Sequence, residues 1–433
     1  MIDIKLVRDN PQVVKDACKH KNADVSAQDI DKLAKLDVKR RTLLEQIDTL
    51  RHRRNDASTA SQSGKPTAAQ ITAGKKLKEQ IASLEADFNR VDKDYLAILK
   101  QIPNIPAADV PIGNSEADNQ VARTIGEPTK FDFMPKNHWQ LTEAVGLIDK
   151  ERAAKVAGAR FAYLKGGLVR LQFAVIGLVL DIVTDEAALK RIADAADLKV
   201  STKPFEPVLP PLMVRTEVFE AMDRLDPRDD RYKIEGEELW LQGSAEHVLG
   251  SMHMNEIIPE ADLPLRYIGF ATSFRKEAGS YGKDMEGIFR LHQFDKLEME
   301  SLALPEAALN EHLLMVAIQE HITQSLDLPY RVILKCTADI GKPNARGIDI
   351  DTWLPGQGKY RETHTADYMT DYQARRLATR VKRESGGVEL LHTNDATAFA
   401  QRTLIAILEN NQTAEGRIAI PKALQSYYGA ETL

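Results

Sequence analysis

The stretch SFRKEAGSYGKDMEGIFRLHQFDKLEME, residues 273–300, joins an Arg-x-Glu, a glycine-bearing polar loop and a run in which every second residue is Arg, His, Phe, Lys or Glu. Side chains of an extended chain alternate between two faces. Read as two strands, 265–277 and 287–300, the first carries Ser273, Arg275 and Glu277 on one face. The second carries Arg290, His292, Phe294, Lys296 and Glu298 on one face, with Leu291, Leu297 and Met299 on the other. The apolar side packs on a core, while the polar side lines up cations, an aromatic plate and carboxylates. Arginines can grip phosphate oxygens bidentately, a ring can stack a base, and acids can reach amino groups or a metal. A salt-bridged, solvated sheet face gives the same alternation, so spacing alone leaves both readings open. No G-x-x-x-x-G-K-[ST] and no strand-linked G-x-G-x-x-G occurs, which excludes a P-loop or Rossmann mode of nucleotide binding.

Around that stretch, apolar periodicity predicts helices over 138–157, 169–198, 305–325, 371–382 and 399–412. Strands are expected over 206–214, 231–242, 265–277, 287–300, 329–336 and 347–354. Neighbouring strands joined by short turns, with helices grouped between them, indicate an α+β fold built on an antiparallel sheet.

The N-terminal quarter obeys a different period. Leu77, Ile81, Leu84, Phe88, Val91, Tyr95 and Ile98 recur at alternating steps of four and three, a narrow coiled-coil stripe. Leu33, Leu36, Leu43, Ile47 and Leu50 form a second stripe, with Arg40 at the missing heptad step. STASQSGKPT (58–67) breaks the pattern between them. The expectation is an antiparallel helical hairpin over about 28–100 with a turn at 58–67. Prolines at 103, 106 and 111 end it, so residues 1–110 are read as a helical arm and 111–433 as a separate body.

The chain is long enough for two domains, and its 43% apolar and 28% charged residues suit a globular protein. Net charge is −6, yet Arg51, Arg53, Arg54, Lys65, Lys75, Lys76 and Lys78 face only Asp56 between residues 51 and 78, a local +6. At a hairpin tip, that block is a candidate clamp for a nucleic-acid backbone. Two cysteines, Cys18 and Cys336, are too few for a disulfide framework or a thiolate zinc site, so no zinc is expected and a reducing cytoplasm is. MIDIKLVRDN lacks the apolar core of a secretory signal. LQFAVIGLVL (171–180) is half a bilayer span and reads as a buried helix, so no membrane association is expected.

FRKEAG, a variable loop and GIFRLHQFDKLEM together resemble motif 2 of class II aminoacyl-tRNA synthetases, in the form carried by seryl-tRNA synthetases. The resemblance runs nearly the whole chain. The start MIDIKLVRDNP and the heptad hairpin look like that family's tRNA-binding arm; PVLPPLMV (207–214) resembles motif 1 of the dimer interface. LQGSAEHVL resembles the serine-pocket segment, and WLPGQGKYRE, DYQARR and QRTLIAILEN resemble motif 3 and its lead-in. The resemblance implies a homodimer that uses ATP and Mg²⁺ to activate L-serine and then charges tRNA(Ser).

It also implies residue roles. Arg275 holds the α-phosphate and the activated carboxyl, Arg402 the γ-phosphate, and Glu298 the serine substrate, making these three the catalytic set. Glu277 reads the adenine amino group, Phe294 stacks on adenine and Arg290 steadies phosphates or the tRNA end; Lys276, Leu291, Thr363 and His364 complete the ATP site. Glu362 and Thr365 fall at the Mg²⁺-binding positions. Ser244, Ala245 and Glu246 form the amino-group pocket, with Arg275, Asn394 and Thr397 also on serine. Arg51, Arg53, Arg54, Lys75, Lys76 and Lys78 are the tRNA contacts. Two segments depart from the family: THTADYMTDYQARR (363–376) stands where ISSCSNCEDFQARR is common, and HTNDATAFAQR (392–402) is one residue shorter than HTLNGSGLAVGR. In the second, either Asn394 or Asp395 takes the asparagine's place.

Two other classes stay open. A carrier-protein ligase on a similar body would lack the arm and would load a thiol. A regulatory RNA-binding paralogue would keep the arm and lose adenylation.

Overall fold

The computed structural model describes residues 1–60, 67–277 and 286–433, the side chains of 58–60 excepted. Lys65 of the basic block, most of the 58–67 turn and most of the loop after Glu277 fall outside the described residues. The chain divides into two compact units, Met1–Ile105 and Pro106–Leu433, and the division falls within the proline run.

The first unit holds α1 (Ile4–Asp9), α2 (Pro11–His20), α3 (Ala27–Ala60) and α4 (Ala68–Leu99). The last two pair along their lengths, each about 50 Å at ~1.5 Å per residue. Leu33, Leu43 and Ile47 of α3 are buried with Ile81, Val91 and Tyr95 of α4, the residues of the two stripes. Arg40 does not break the seam. Its guanidinium lies 5.3 Å from the Phe88 ring centre and 5.2 Å from that of Tyr95, and its Nε is 2.5 Å from Asp92. An arginine stem can cover apolar surface while its head stays paired. The start of α4 is fixed by Thr67, which accepts from Gln70 N–H while the Gln70 side chain accepts from Thr67 N–H. Asp37 anchors the base of the hairpin by taking both Arg8 Nε and Arg8 Nη2 at 2.8 Å.

The second unit is built on one eight-stranded sheet. In chain order its strands are β1 (Gln120–Ile125), β2 (Glu206–Val208), β3 (Leu265–Phe274), β4 (Gln293–Ala303), β5 (Tyr330–Leu334), β6 (Arg346–Leu354), β7 (Lys359–Tyr368) and β8 (His392–Ala400). Their spatial order is β1-β5-β6-β7-β8-β4-β3-β2, antiparallel except for the β2–β3 pair. This is the α+β antiparallel architecture that the sequence leads one to expect.

Helices Gly167–Thr184, Ala308–Ser325 and Gln401–Asn410 share one core with Leu297, Met299, Ile348, Ile350, Ala366 and Ala396 of the strands. Gly167–Thr184 is apolar and long enough to cross a membrane; its Leu168, Leu171, Val175 and Val179 are buried in this core. The opposite face of the central strands carries Lys296, Glu298, Asp395 and Thr397, and the candidate site lies there.

Several expected elements are shorter or broken. The 169–198 helix divides at Asp185, whose carboxylate caps a new helix by accepting from Ala187 and Ala188 N–H. The 138–157 segment is two short helices, His138–Glu143 and Lys150–Ala157, flanking the strand Ile148–Asp149. Residues 371–382 hold a helix only over Tyr372–Leu377, after which Ala378 turns at φ +55° into the strand Arg380–Lys382. The 206–214 strand is two, Glu206–Val208 and Met213–Arg215, and 231–242 is extended only at Leu239–Leu241. β1, β7 and β8 fall outside the expected strands, and the helix expected from 399 begins at Gln401.

Candidate active site

Motif 2 is less regular than its alternation implies. β3 ends at Phe274, and β4 begins at Gln293 with Ser273 opposite Phe294. Phe294, Lys296 and Glu298 do share a strand face. Arg290 and His292 do not belong to it, because residues 286–292 form turns and bends. Arg275 and Glu277 likewise lie past the strand, with Glu277 at φ +53°.

Backbone contacts replace the ladder there. Arg275 N–H donates to His292 O at 3.0 Å, and the His292 ring Nδ1 lies 3.0 Å from Arg275 O. Gly287, at φ +65°, lies under His138: a Cβ there would sit 1.9 Å from His138 Nε2. That nitrogen accepts from Ile288 N–H at 3.2 Å, while Nδ1 faces the buried Glu409 carboxylate at 3.1 Å. His138 thus ties the returning arm of motif 2 to the helix Gln401–Asn410. Neither His138 nor Glu409 stands out in the sequence, because their pairing spans 271 residues.

The cleft holds about 630 Å³, its open mouth included, and is lined by Arg275, Glu277, Phe289, Arg290, Leu291, Phe294, Lys296, Glu362, Thr363, Thr365, Thr397 and Arg402, among others. Arg275 Nε donates to Gly243 O at 2.9 Å, and its guanidinium lies 5.4 Å from the Phe294 ring centre. Glu277 pairs with Arg290. Arg402 Nη1 is 2.9 Å from Glu362, and its guanidinium lies 4.7 Å from the centre of the Phe289 ring. Arg361 also lies against that ring, at 3.6 Å. Phe289, which the alternation places with no role, is therefore an aromatic plate between two guanidiniums. Lys276 leaves the cleft: its ammonium lies 5.4 Å from the Tyr232 ring. His364 is buried, does not line the cleft and faces Thr363 Oγ1 at 2.9 Å.

Charges reinforce one another here. Burial alone would raise the Glu362 pKa, but Arg402 and Lys335 outweigh it and hold the carboxyl down at about 2. Asp351, opposite Glu362 in the β6–β7 register, is pushed up to about 6, first by burial and then by Glu362. Burial, opposed by Glu362 and helped by Lys296, holds the His364 imidazole down at about 4, so it is neutral near pH 7.

Beside the cleft lies a buried cluster of polar side chains, the candidate amino-acid pocket. Glu298 is fully buried and accepts from the Ser244 hydroxyl, while Lys296 Nζ sits 2.5 Å from its other oxygen. Glu246 accepts from Arg224 Nε at 2.8 Å and Gln373 Nε2 at 2.9 Å. Ala245 is fully buried among apolar side chains. Asn394 turns to the helix side, where its Nδ2 donates to Ala308 O at 3.2 Å. Its neighbour Asp395 faces the pocket, 3.9 Å from Arg224 Nη2. Thr397 stands opposite Glu298 in the register, beside a bulge between Thr397 and Phe399 that shifts the strand's pairing. Arg224, which comes from the loop after the helix Thr216–Ala221, carries no signal in the sequence.

Comparison with known proteins gives the family. Residues 1–106 match the family model of the seryl-tRNA synthetase N-terminal domain, and 231–411 that of the class II tRNA synthetase core domain (G, H, P, S and T). The chain is 39% identical to a serine–tRNA ligase of Dictyoglomus turgidum over 99% of its own length and 98% of the relative's. The chain belongs to the seryl-tRNA synthetase family. It is 38% identical to the serine–tRNA ligase of Nitrosopumilus maritimus, with 99% of each chain covered. The crystal structure of seryl-tRNA synthetase from Pyrococcus horikoshii complexed with ATP superposes with a TM-score of 0.88 at 37% identity, over 100% of this chain and 99% of that one. The Naegleria fowleri cytoplasmic enzyme in complex with AMP gives 0.84 at 28%, over 100% and 98%. Membership makes the chain a ligase of the aminoacyl-tRNA-forming class.

Proposed function

We propose that the cleft binds ATP and the buried polar cluster beside it binds L-serine, so that the enzyme forms seryl-adenylate and then esterifies the 3′-terminal ribose of tRNA(Ser). The observation that carries this reading is adjacency: Lys296 lines the ATP cleft and also holds Glu298 of the amino-acid pocket. The serine carboxylate attacks the α-phosphorus and pyrophosphate leaves; a ribose hydroxyl then attacks the adenylate. No protein nucleophile is required, so positioning and charge neutralisation supply the rate.

Arg275 orients the α-phosphate and carboxylate, Arg402 the γ-phosphate, and Phe294 stacks on adenine. Glu277 reads the adenine amino group through its carboxylate, with Arg290 held beside it. Glu246 takes the serine ammonium; Ser244, expected beside it in the amino-group pocket, donates to Glu298 instead, and that pair takes the serine hydroxyl. A buried pair built to bond a hydroxyl rejects alanine, because its polar groups are then left unmatched. Glu362 and Thr365 offer hard oxygens at the cleft floor, a donor set that fits Mg²⁺. Glu362 and Thr365 would hold the ion together with oxygens of a bound triphosphate. The ion would neutralise phosphate charge. Serine-dependent exchange of pyrophosphate into ATP, followed by charging of purified tRNA, tests the reading; no exchange with serine would overturn it.

The arm supplies the tRNA contacts. Arg53, Arg54, Lys75, Lys76 and Lys78 are exposed near the ends of α3 and α4, while Arg51 is partly engaged by Glu85 at 2.8 Å. Reversing Arg53, Arg54, Lys75 and Lys76 to Glu is expected to raise the KM for tRNA at least ten-fold at moderate salt. Amino-acid activation should stay unchanged, because phosphate contacts act through counterion release and not through the adenylation chemistry. Equal tRNA kinetics in the variant would remove the arm from the reading.

The enzyme acts as a homodimer. Leu209, Leu212 and Met213, in and beside the expected motif 1, are exposed on a single chain, Leu209 by 83%. Apolar side chains clustered this way mark an interface. Sedimentation equilibrium should give twice the chain mass, and Leu209→Asp with Met213→Asp should shift it to the monomer.

A further inference from the structure

The amino-acid pocket holds more negative charge than serine can satisfy. Glu246, Glu298, Glu300 and Asp395 are all buried around it. Among the described residues the cations in ion-pair contact with these four are Arg224 and Lys296, each already set against a carboxylate; Arg231, which also acts on Glu246, is itself paired with Asp230. His247 adds none, because burial and the surrounding cations hold its imidazole neutral. The ammonium of a bound α-amino acid balances one further carboxylate. One acid therefore remains without a countercharge.

Glu300 is that acid. It is fully buried on β4, on the same strand face as Lys296 and Glu298, with Asp395 opposite it on β8. Among the described residues neither of its carboxylate oxygens has a hydrogen-bond partner. Gly250 lets the backbone come close to it, since a Cβ there would lie 2.9 Å from Met222 Cε and 3.1 Å from Glu300 Oε1. An unpartnered carboxylate in a dry site costs several kcal/mol unless a proton or a cation meets it. Burial, together with Asp395, Glu246 and Glu298, pushes its pKa well above the usual carboxylate range, so an incoming cation competes with a proton for this group.

We propose that this pocket also accepts and activates small α-amino acids whose side chain bears a second amine, the side-chain ammonium being received by Glu300 and Asp395. The inference rests on the adenylation reading given above and extends it to a further substrate class. The chemistry is the same: a carboxylate oxygen of the amino acid bonds to the α-phosphorus, the bridging P–O bond breaks, and pyrophosphate leaves with its electron pair. No oxidant or further co-reactant enters.

The test is ATP–pyrophosphate exchange with L-serine, L-2,3-diaminopropionate and L-2-aminobutyrate, the last matching the others in size without a polar group. Diaminopropionate is expected to support exchange with kcat/KM within about ten-fold of serine, and aminobutyrate to support none. Glu300→Gln, of the same size as the residue it replaces, should lower kcat/KM for diaminopropionate at least ten-fold more than that for serine. A rise in Tm of the unmodified enzyme with diaminopropionate gives a second readout that needs no variant. Exchange with serine but neither exchange nor a Tm rise with diaminopropionate would overturn the inference and leave the serine reading standing. Exchange with diaminopropionate alone would do the reverse, and exchange with neither would overturn both. A Glu300→Gln variant equally impaired on both substrates would assign Glu300 to the architecture of the pocket and overturn its role as a receptor.

Discussion

Arg275→Ala is expected to reduce serine-dependent ATP–pyrophosphate exchange by about a thousand-fold or more, with little change in unfolding temperature. Removing a single preorganised donor from a developing oxyanion costs roughly 10²–10³ in rate, and this guanidinium carries a full charge as well. Its position is fixed before substrate arrives. Nε is held by Gly243 O at 2.9 Å, the plane lies against Phe294, and the flanking backbone is bonded to His292 in both directions. Lys296 is the nearest alternative cation on the strand face, but Glu298 already holds it at 2.5 Å. Arg402 is held by Glu362. Arg275→Lys should recover only part of the loss, because an ammonium replaces the charge but not the planar fork. Exchange near the unmodified rate in Arg275→Ala would remove this residue from the chemistry.

How far the sequence discloses this site follows from which residues had to be apolar. The hairpin is legible because its two stripes of Leu, Ile and Val have no other use than the seam. β4 is legible because Leu297 and Met299 face the core while Phe294, Lys296 and Glu298 face the cleft, so period two survives. β7 and β8 are central to the sheet and were missed. Their core-facing residues are small, Ala366, Ala396 and Ala398, until Phe399 past the bulge, and the other face holds Thr365, Asp367, Asp395 and Thr397. A strand that serves a polar pocket on one side and packs closely against a helix on the other shows neither alternation nor a β-branched run. The same reason hides Arg224 and His138, whose partners lie far along the chain and whose surroundings show no local period. Arg290 was misplaced on the strand face because its spacing from Phe294 is even. What spacing cannot disclose is that the chain turns at 286–292, where Gly287 yields to His138.

The largest effect on stability is expected away from the cleft, at Arg266. Its side chain is fully buried on β3 and meets Glu311 of the helix Ala308–Ser325 through two bonds, Nε at 2.8 Å and Nη2 at 2.7 Å. Nη1 and Nη2 also reach Lys203 O and Ser201 O, at 2.5 and 2.7 Å, in the segment that enters β2. Ser301 of β4 donates to Glu311 at 2.9 Å. One guanidinium therefore joins the parallel edge of the sheet, its interior and the helix beneath it. Arg266→Met should destabilise the second unit by roughly 3–5 kcal/mol in urea unfolding, because Glu311 is left as a buried charge with only a serine for company. Adding Glu311→Gln should then restore a large part of the loss, since the second substitution removes the stranded charge. If the single variant unfolds at the unmodified urea concentration, Arg266 is dispensable to the sheet. If the double variant is no more stable than Arg266→Met, the loss arises from the bonds to Ser201 and Lys203 and not from the stranded carboxylate. The two results separate a sheet held by an ion pair from one held by the backbone stitching of its parallel edge.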